Sequence, residues 1–153
     1  MNESKYDSLK LENQLCFPLY ACARIAIKLY KPFLDKLGLT YTQYITMMVL
    51  WERQTLTAKE LGDILFLDSG TLTPLLKKME SNGLLTRKRS AEDERSLVIT
   101  ITDQGMALRD QALTVPEEMK ACLTISPEES LALYRTLYRL LDREDQIPEA
   151  YRA

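Results

Sequence analysis

Residues 68–80 read DSGTLTPLLKKME, and the helix-stopping pair Asn82-Gly83 follows after Ser81. Apolar side chains recur in this segment at the three- and four-residue spacing of an α-helix, at Leu72, Leu75, Leu76 and Met79. The other positions carry few acids. They hold short hydroxyl groups, which can reach base edges and phosphates, and lysines, which can bind phosphates. These candidate DNA-binding residues are Ser69, Thr71, Thr73, Lys77 and Lys78.

A short helix precedes this segment and a β-hairpin follows it. Thr57 and Glu60 fit a capping box that opens the short helix. Two strands rich in β-branched residues, within residues 84–102, flank a polar tip at residues 90–95. This order is typical of a winged helix-turn-helix, whose second helix enters the major groove while the hairpin reaches the backbone or the minor groove. The same elements could also pack without touching nucleic acid, but the polar face of residues 68–80 favours DNA.

Further helices are expected on both sides of this core. They lie at about residues 10–37 and at residues 41–52, with Tyr44, Ile45, Met48 and Val49 of the latter facing inward. Another runs from residue 104 to about residue 122 with a break near Pro116, and the last runs from its cap at Ser126 to about residue 145. The last helix carries an apolar stripe that is too wide for one winged-helix core to cover. Pairing with a second copy would bury it together with the first helix, and an intramolecular helical hairpin is the alternative. We therefore expect residues 1–153 to form one mainly α domain, in which dimerisation helices flank a winged-helix core at about residues 41–103.

Composition excludes several classes of chemistry. With 46% hydrophobic and 27% charged residues, the chain of 153 residues should fold as a globular domain. No apolar run approaches the roughly 20 residues that a membrane span needs, and no apolar stretch follows a basic start, so a cytoplasmic protein without a membrane partner is expected. Three cysteines without any histidine leave no Ser-His or Cys-His pair and no zinc-type spacing. Neither a catalytic site, a metal site nor a cofactor is therefore expected.

The hairpin is locally basic in a chain whose formal net charge is −2. Its first strand and its tip supply this charge, from Arg87, Lys88, Arg89 and Arg95. In an extended tip Asp93 and Arg95 would point to the same side, so the carboxylate could hold the guanidinium in a bidentate pair. An arginine presented in this way suits a narrow minor groove. A solvated surface pair is the alternative, and the hairpin context favours the DNA-binding interpretation.

Several motifs carry a resemblance to a known family. Residues 56–105 resemble the winged-helix core of the MarR family, with Asp93-Glu94-Arg95 matching its wing signature. Other segments are similar to the organic-hydroperoxide-sensing repressors of that family, usually called OhrR. They are LENQLCF at 11–17, YKP at 30–32, LTYTQY at 39–44 and LDSGTLTPLLKKME at 67–80.

The resemblance implies a homodimeric repressor whose sensor is Cys16 and whose inducer is an organic hydroperoxide. It also implies that Tyr30 and Tyr41 donate hydrogen bonds to the thiolate, and that Tyr20 lies in the same pocket near the dimer interface. Some members resolve the sulfenic acid with a distal cysteine of the partner subunit, a role that Cys122 could fill, whereas others use a small external thiol. Both routes remain open. A two-fold dimer places its recognition helices about one DNA turn apart, so the operator should be an inverted repeat.

The surroundings of Cys16 raise a question about the first helix. A peroxide is attacked by a thiolate, and without histidine the groups that can stabilise it are phenol hydroxyls and a helix N-terminus. Pro18 can lie in the first turn of a helix that starts beside Cys16, or it can kink a helix that began earlier. The helical period of residues 13–17 favours the kink. Cys22 lies about 9 Å further along the helix, beyond disulfide reach, and is expected to pack.

Two other functions remain possible on the sequence alone. In the first, a family member responds to a small phenolic ligand and Cys16 is a bystander. In the second, the chain is a thiol-dependent peroxidase without DNA affinity, which the hydroxyl- and lysine-rich segment at residues 68–80 disfavours.

Overall fold

The computed structural model describes residues 5–143 together with residues 146 and 149. Seven α-helices and three β-strands occur in this described part of the chain. They are α1 (Cys16–Asp35), α2 (Tyr41–Arg53), β1 (Thr55–Thr57), α3 (Ala58–Leu65), α4 (Ser69–Ser81), β2 (Leu85–Arg89), β3 (Leu97–Ile101), α5 (Asp103–Gln111), α6 (Val115–Cys122) and α7 (Pro127–Leu140). The chain divides into two compact units, and the boundary in the sequence lies between Met119 and Lys120. The expected mainly α winged helix-turn-helix is confirmed.

Side-chain caps set the starts of the two short helices. At α3 the Thr57 hydroxyl accepts the N–H of Glu60 at 3.2 Å, and the Glu60 carboxylate accepts the N–H of Thr57 at 2.8 Å. This is the predicted capping box. At α4 Asp68 accepts the N–H of Thr71 at 2.8 Å. Between the helices Phe66 adopts the left-handed conformation, with φ of 54°, and ends α3.

The wing belongs to a three-stranded antiparallel sheet in the order β1-β3-β2. The predicted hairpin of β2 and β3 is confirmed. The third strand, β1, was not predicted, because three residues are too few for alternation to reveal a strand. It pairs Leu56 with Ile99, and both side chains are buried. The wing is therefore attached to the helical core by β1 as well as by its own turn.

The buried face of α2 differs from the expected one. Tyr44 is buried, but Met48 is 47% exposed, and the fully buried positions are Thr46, Met47 and Leu50. The helix contacts α1 and also α3, α4 and α5. Its buried stripe is therefore wider than that of a helix with a single buried face, and it is centred about one residue earlier than the expected stripe. Trp51 closes this face by donating its Nε1–H to the carbonyl of Gly105 at 2.9 Å.

The first helix begins at Cys16 and not near Lys10. Two short 3-10 turns, Asp7–Leu9 and Leu11–Asn13, take the place of the expected helical start. Pro18 lies in the first turn of α1, where a backbone N–H would have no helical partner in any case. The kinked helix is therefore wrong. Cys16 occupies the first helical position, where the free N–H groups of the helix end are directed.

The C-terminal helices follow the predicted order with earlier ends. The break near Pro116 is confirmed, since α5 ends at Gln111 and Pro116 lies in the first turn of α6. The Ser126 hydroxyl and the Glu129 carboxylate form the capping box of α7. That helix ends at Leu140, and the expected end near residue 145 lies outside the described residues. No described helix combines the length and apolar character of a membrane span.

Candidate functional site

Helix α4 presents one face to the core and the other to solvent. Leu72, Leu76 and Met79 are buried and fix the helix on the domain. The five predicted DNA-contacting side chains are all exposed: Ser69, Thr71, Thr73, Lys77 and Lys78. Thr71 has a second role, since its hydroxyl donates to Asp68 at 3.2 Å. Hydrogen bonds from the N–H and hydroxyl of Thr71 lower the pKa of Asp68, so this N-cap remains ionised.

The predicted wing cations differ in their surroundings. Lys88 and Arg95 are exposed. Arg87 is held by Glu80 at the end of α4, with Nη2 and Nε of Arg87 at 2.8 and 3.0 Å from Oε2. Arg89, the third cation of the first strand, donates from Nη1 to the carbonyl of Glu94 at 2.8 Å and so secures the hairpin tip. The sequence indicated the charges of the hairpin but not their partners.

The hairpin tip forms a turn and is not extended. Asp93 accepts the backbone N–H of Arg95 on Oδ1 at 3.0 Å, while its carbonyl accepts the N–H of Ser96 at 2.8 Å. In a turn, residues two apart do not point to the same side, so the extended geometry expected for the D-x-R motif is wrong. The Asp93 carboxylate shapes the backbone of the tip, and the Arg95 side chain extends into solvent.

Three tyrosines form an aromatic cluster between α1 and α2. The ring centroids of Tyr30 and Tyr41 are 4.9 Å apart, and those of Tyr30 and Tyr44 are 5.9 Å apart. Burial raises the pKa of each of the three phenols. They are therefore protonated at neutral pH and can donate a hydrogen bond to an anion. Tyr44 was not predicted as a site residue, although its place three residues after Tyr41 puts both on one helical face.

Cys16 is not part of this cluster within one chain. It is exposed at the start of α1, about 21 Å of helical rise from Tyr30 at about 1.5 Å per residue. Tyr20, one turn from Cys16, accepts a hydrogen bond from Nη1 of Arg24 at 2.9 Å. The structure thus brings Tyr30 and Tyr41 together, and it separates both from the cysteine of the same chain.

The other two cysteines are also exposed. Cys22 lies on α1 with its side chain open to solvent, so the expected packing role is not realised within one chain. Cys122 is the last residue of α6, in the second compact unit, and is exposed as well.

Large apolar side chains are exposed in both units of the chain. In the N-terminal segment and α1 they are Tyr6, Leu9, Leu11, Leu15, Phe17, Leu19, Tyr20, Ile25 and Ile27. In the second unit they are Leu123, Ile125, Leu133, Leu140 and Leu141. So many exposed apolar side chains on one helix, α1, make it a candidate surface for contact with another macromolecule.

Comparisons with known proteins agree with this geometry. The family described as "Transcriptional regulator SarA/Rot" matches residues 28–112. The organic hydroperoxide resistance transcriptional regulator of Bacillus subtilis (strain 168) is 52% identical over 140 residues, covering 92% of this chain and 95% of the relative.

Solved structures are also similar to this chain over most of its length. Reduced AbfR bound to DNA, a Staphylococcus epidermidis protein, is 36% identical with a TM-score of 0.72, covering 90% of this chain and 96% of that one. Its disulfide form, 37% identical with the same coverage, has a TM-score of 0.61. A mutant of Escherichia coli MarR in complex with operator DNA is 21% identical and has a TM-score of 0.78, over 91% and 99% of the two chains. At that identity the last comparison shows the fold alone.

Proposed function

Because the chain belongs to the SarA/Rot group of the MarR family of winged-helix transcriptional regulators, we propose that it is a homodimeric, cytoplasmic repressor that releases its operator when an organic hydroperoxide oxidises Cys16. One observation carries this proposal: an exposed cysteine occupies the first position of α1 in a chain 52% identical to an organic hydroperoxide resistance regulator. In this proposal the protein is not an enzyme: oxidation of Cys16 acts as a signal that changes DNA binding, and not as one step of a catalytic cycle.

The DNA-binding half of the proposal depends on α4 and the wing. Helix α4 enters the major groove, where its exposed hydroxyls face base edges and Lys77 and Lys78 meet phosphates. Lys88 and the solvent-exposed Arg95 reach the backbone or the adjacent minor groove. Each subunit contributes one DNA-binding lobe, formed by α4 and the wing. In a two-fold dimer both lobes read the same sequence, so the operator is an inverted repeat. The DNA-bound relatives support this assignment.

The sensing half requires a second subunit. About 21 Å of helix separates Cys16 from Tyr30 in one chain, so any contact between thiolate and phenols must cross the dimer interface. We assign the phenol donors to Tyr30 and Tyr41 of the partner subunit, with Tyr20 lining the same pocket. The exposed apolar side chains of α1 supply the surface that such an interface needs.

The chemistry begins with the thiolate of Cys16. Its N-terminal helix position and the partner's phenol hydroxyls both stabilise negative charge on sulfur. The sulfur attacks the terminal peroxide oxygen, the O–O bond breaks, and the alkoxide leaves as an alcohol after taking a proton, so sulfenic acid remains. A second thiol then displaces water to form a disulfide. That thiol is either Cys122 of the partner subunit or a small external thiol, and a disulfide form of the relative AbfR supports this step.

Operator release follows from the loss of alignment between two lobes. Oxidation removes the anion that the phenols bind, and a disulfide moves the helices that space the lobes. Since each half-site contributes a large part of the specific affinity, misplacing one lobe lowers operator binding by orders of magnitude.

A small ligand is the second candidate signal. A groove of about 290 Å³ lies between α2 and the α5–α6 region, and it is lined by Tyr44, Met48, Trp51, Leu113 and Pro116, among others. An aromatic ligand of suitable size would fit its apolar walls. Release by such a ligand would occur in the presence of a reductant and would reverse when the ligand is removed, whereas release by oxidation would persist until a reductant is added.

Operator release under peroxide tests the proposal. A fluorescent duplex, selected from a random library by binding to the reduced protein, is titrated and then exposed to cumene hydroperoxide. We expect wild type and the matched variant Cys22→Ser to release it, and Cys16→Ser to stay bound. Release by Cys16→Ser would eliminate the sensor role, and failure to select any duplex would eliminate DNA recognition.

A further inference from the structure

The end of α4 is joined to the wing by a charged contact that no DNA-binding role explains. Glu80, in the last turn of α4, accepts three hydrogen bonds from Arg87 of β2. The backbone N–H of Arg87 meets Oε1 at 2.9 Å, and its Nη2 and Nε meet Oε2 at 2.8 and 3.0 Å. A carboxylate thus holds both the main chain and the side chain of one strand residue.

This contact lies where it can set the direction of the wing. Immediately before β2, the turn is fixed at its base, where Leu84 donates its N–H to the carbonyl of Met79 at 3.0 Å and Gly83 has a φ of 76°. Arg87 lies further out on the strand and faces Ile99 of β3 in the ladder. Pairing with β1 anchors the hairpin through β3, and the Glu80 contact ties β2 to the end of α4 beyond the turn. This contact therefore sets how β2 lies against α4.

The geometry also limits what Arg87 can do. Its side chain is only 20% exposed, and its Nε and Nη2 are engaged with Glu80. Two of its three guanidinium nitrogens are committed to Glu80, and moving the group onto a phosphate would give up those bonds and leave the Glu80 carboxylate uncompensated near DNA. Lys88, its neighbour in sequence, is exposed and is free to point outward, since successive strand residues face opposite sides.

We propose that Glu80 and Arg87 are positioning residues, which fix the angle between α4 and the wing so that both reach the same operator, and that Arg87 does not itself contact DNA. The inference rests on the proposed function. It separates Arg87 from the wing residues that bind DNA, and it adds Glu80, an acid in a DNA-reading helix, to the machinery of recognition.

Arginine and lysine differ at such a site. Lysine keeps the positive charge, and at a phosphate contact it would retain most of the affinity. It cannot reproduce the planar fork that places two N–H groups on one carboxylate. The variant Arg87→Lys therefore distinguishes a positioning role from a charge that contacts phosphate, and Glu80→Gln tests the other side of the pair.

The experiment combines operator affinity with hydroxyl-radical footprinting of the reduced protein. The wing protects the flanks of each half-site and α4 protects the centre. We expect Arg87→Lys and Glu80→Gln each to weaken operator binding about tenfold, the scale of one lost groove contact, with flank protection reduced and central protection kept. The control is Asp35→Asn, which removes the same carboxylate charge from the exposed Lys31–Asp35 pair on α1 and should bind like wild type.

The possible outcomes distinguish a failure of this inference from a failure of the proposed function. Wild-type affinity and flank protection in Arg87→Lys would overturn the inference, because charge alone would then suffice. Unchanged flanks in Glu80→Gln would overturn it as well. Should Glu80→Gln fail to fold in circular dichroism, the conservative Arg87→Lys decides alone. A wild-type protein without any footprint would instead reject the proposed function, and the inference with it.

Discussion

Gly105, at the start of α5, is the position where a single methyl group should disturb the DNA-binding lobe most. A Cβ built there would lie 2.2 Å from the carbonyl oxygen of Leu84 and 2.9 Å from Cγ1 of Ile101, whereas real Cβ contacts are not shorter than 3.0 Å. Backbone would have to move, because the nearest atom is a main-chain oxygen. The substitution Gly105→Ala should therefore destabilise the protein.

The magnitude follows from what lies around the glycine. Its carbonyl accepts the Trp51 Nε1–H at 2.9 Å, and its N–H donates to the Thr102 hydroxyl at 3.0 Å. Overpacking a tight site costs up to about 3 kcal/mol, and displacement also strains the buried tryptophan bond. We expect a loss of about 3 kcal/mol in the free energy of unfolding.

Urea denaturation followed by fluorescence measures this loss, since Trp51 is the one tryptophan of the chain. The matched control is Gly70→Ala, whose Cβ would meet only the flexible Asp68 carboxylate at 3.0 Å and should shift stability by no more than about 0.5 kcal/mol. A Gly105→Ala protein within 0.5 kcal/mol of wild type would refute the close packing of the wing base against α5.

Two further predictions concern the caps and the wing. Hydrogen bonds lower the pKa of Asp68, through Thr71, and of Glu60, through Thr57. A carboxyl group whose pKa is lower in the folded chain stabilises the fold above its unfolded pKa and loses this effect as the pH falls through the folded value. The urea concentration at the midpoint should therefore decrease as the pH is lowered below about 4. The decrease should be smaller in Asp68→Asn than in wild type. An equal decrease in both proteins would contradict the role of Asp68 as an N-cap. In the wing, Lys88→Gln should lower the slope of log affinity against log salt by about one, and an unchanged slope would show that Lys88 does not meet a phosphate.

Elements with local signals were predictable from the sequence. The capping boxes of α3 and α7 are encoded within four consecutive residues each, and the hairpin strands have clear β-branched alternation, so their positions were correct to within one or two residues. The period of α4 likewise identified Leu72, Leu76 and Met79 as its buried face.

Features that depend on tertiary contacts were not predictable. The strand β1 exists because β3 pairs with it, and the stripe of α2 is set by how many neighbours surround that helix. The helical period runs through residues 13–17, but the helix starts only at Cys16, since periodicity does not distinguish an α-helix from successive 3-10 turns. The Glu80–Arg87 contact joins a helix end to a strand across a turn, and neither residue type indicates its partner.

For the candidate sensor too, the sequence indicated the residues and the structure was needed to show how they are arranged. Sequence similarity indicated Cys16, Tyr30 and Tyr41 individually, and the structure shows the two tyrosine rings 4.9 Å apart. Their separation from Cys16 becomes apparent only once all three lie on known elements, because the length of α1 keeps the cysteine away from the phenols of its own chain. The requirement for a second subunit thus follows from a helix length.

Mixed dimers test this requirement and the sensor role together. Subunits carrying Cys16→Ser are combined with subunits carrying Tyr30→Phe and Tyr41→Phe, the two forms bearing different affinity tags, and operator release by cumene hydroperoxide is timed. If the site forms between subunits, the mixed dimer contains one intact site, and we expect it to release the operator far faster than either parent homodimer. A mixed dimer as slow as its parents, or rapid release by the Cys16→Ser homodimer, would contradict the account.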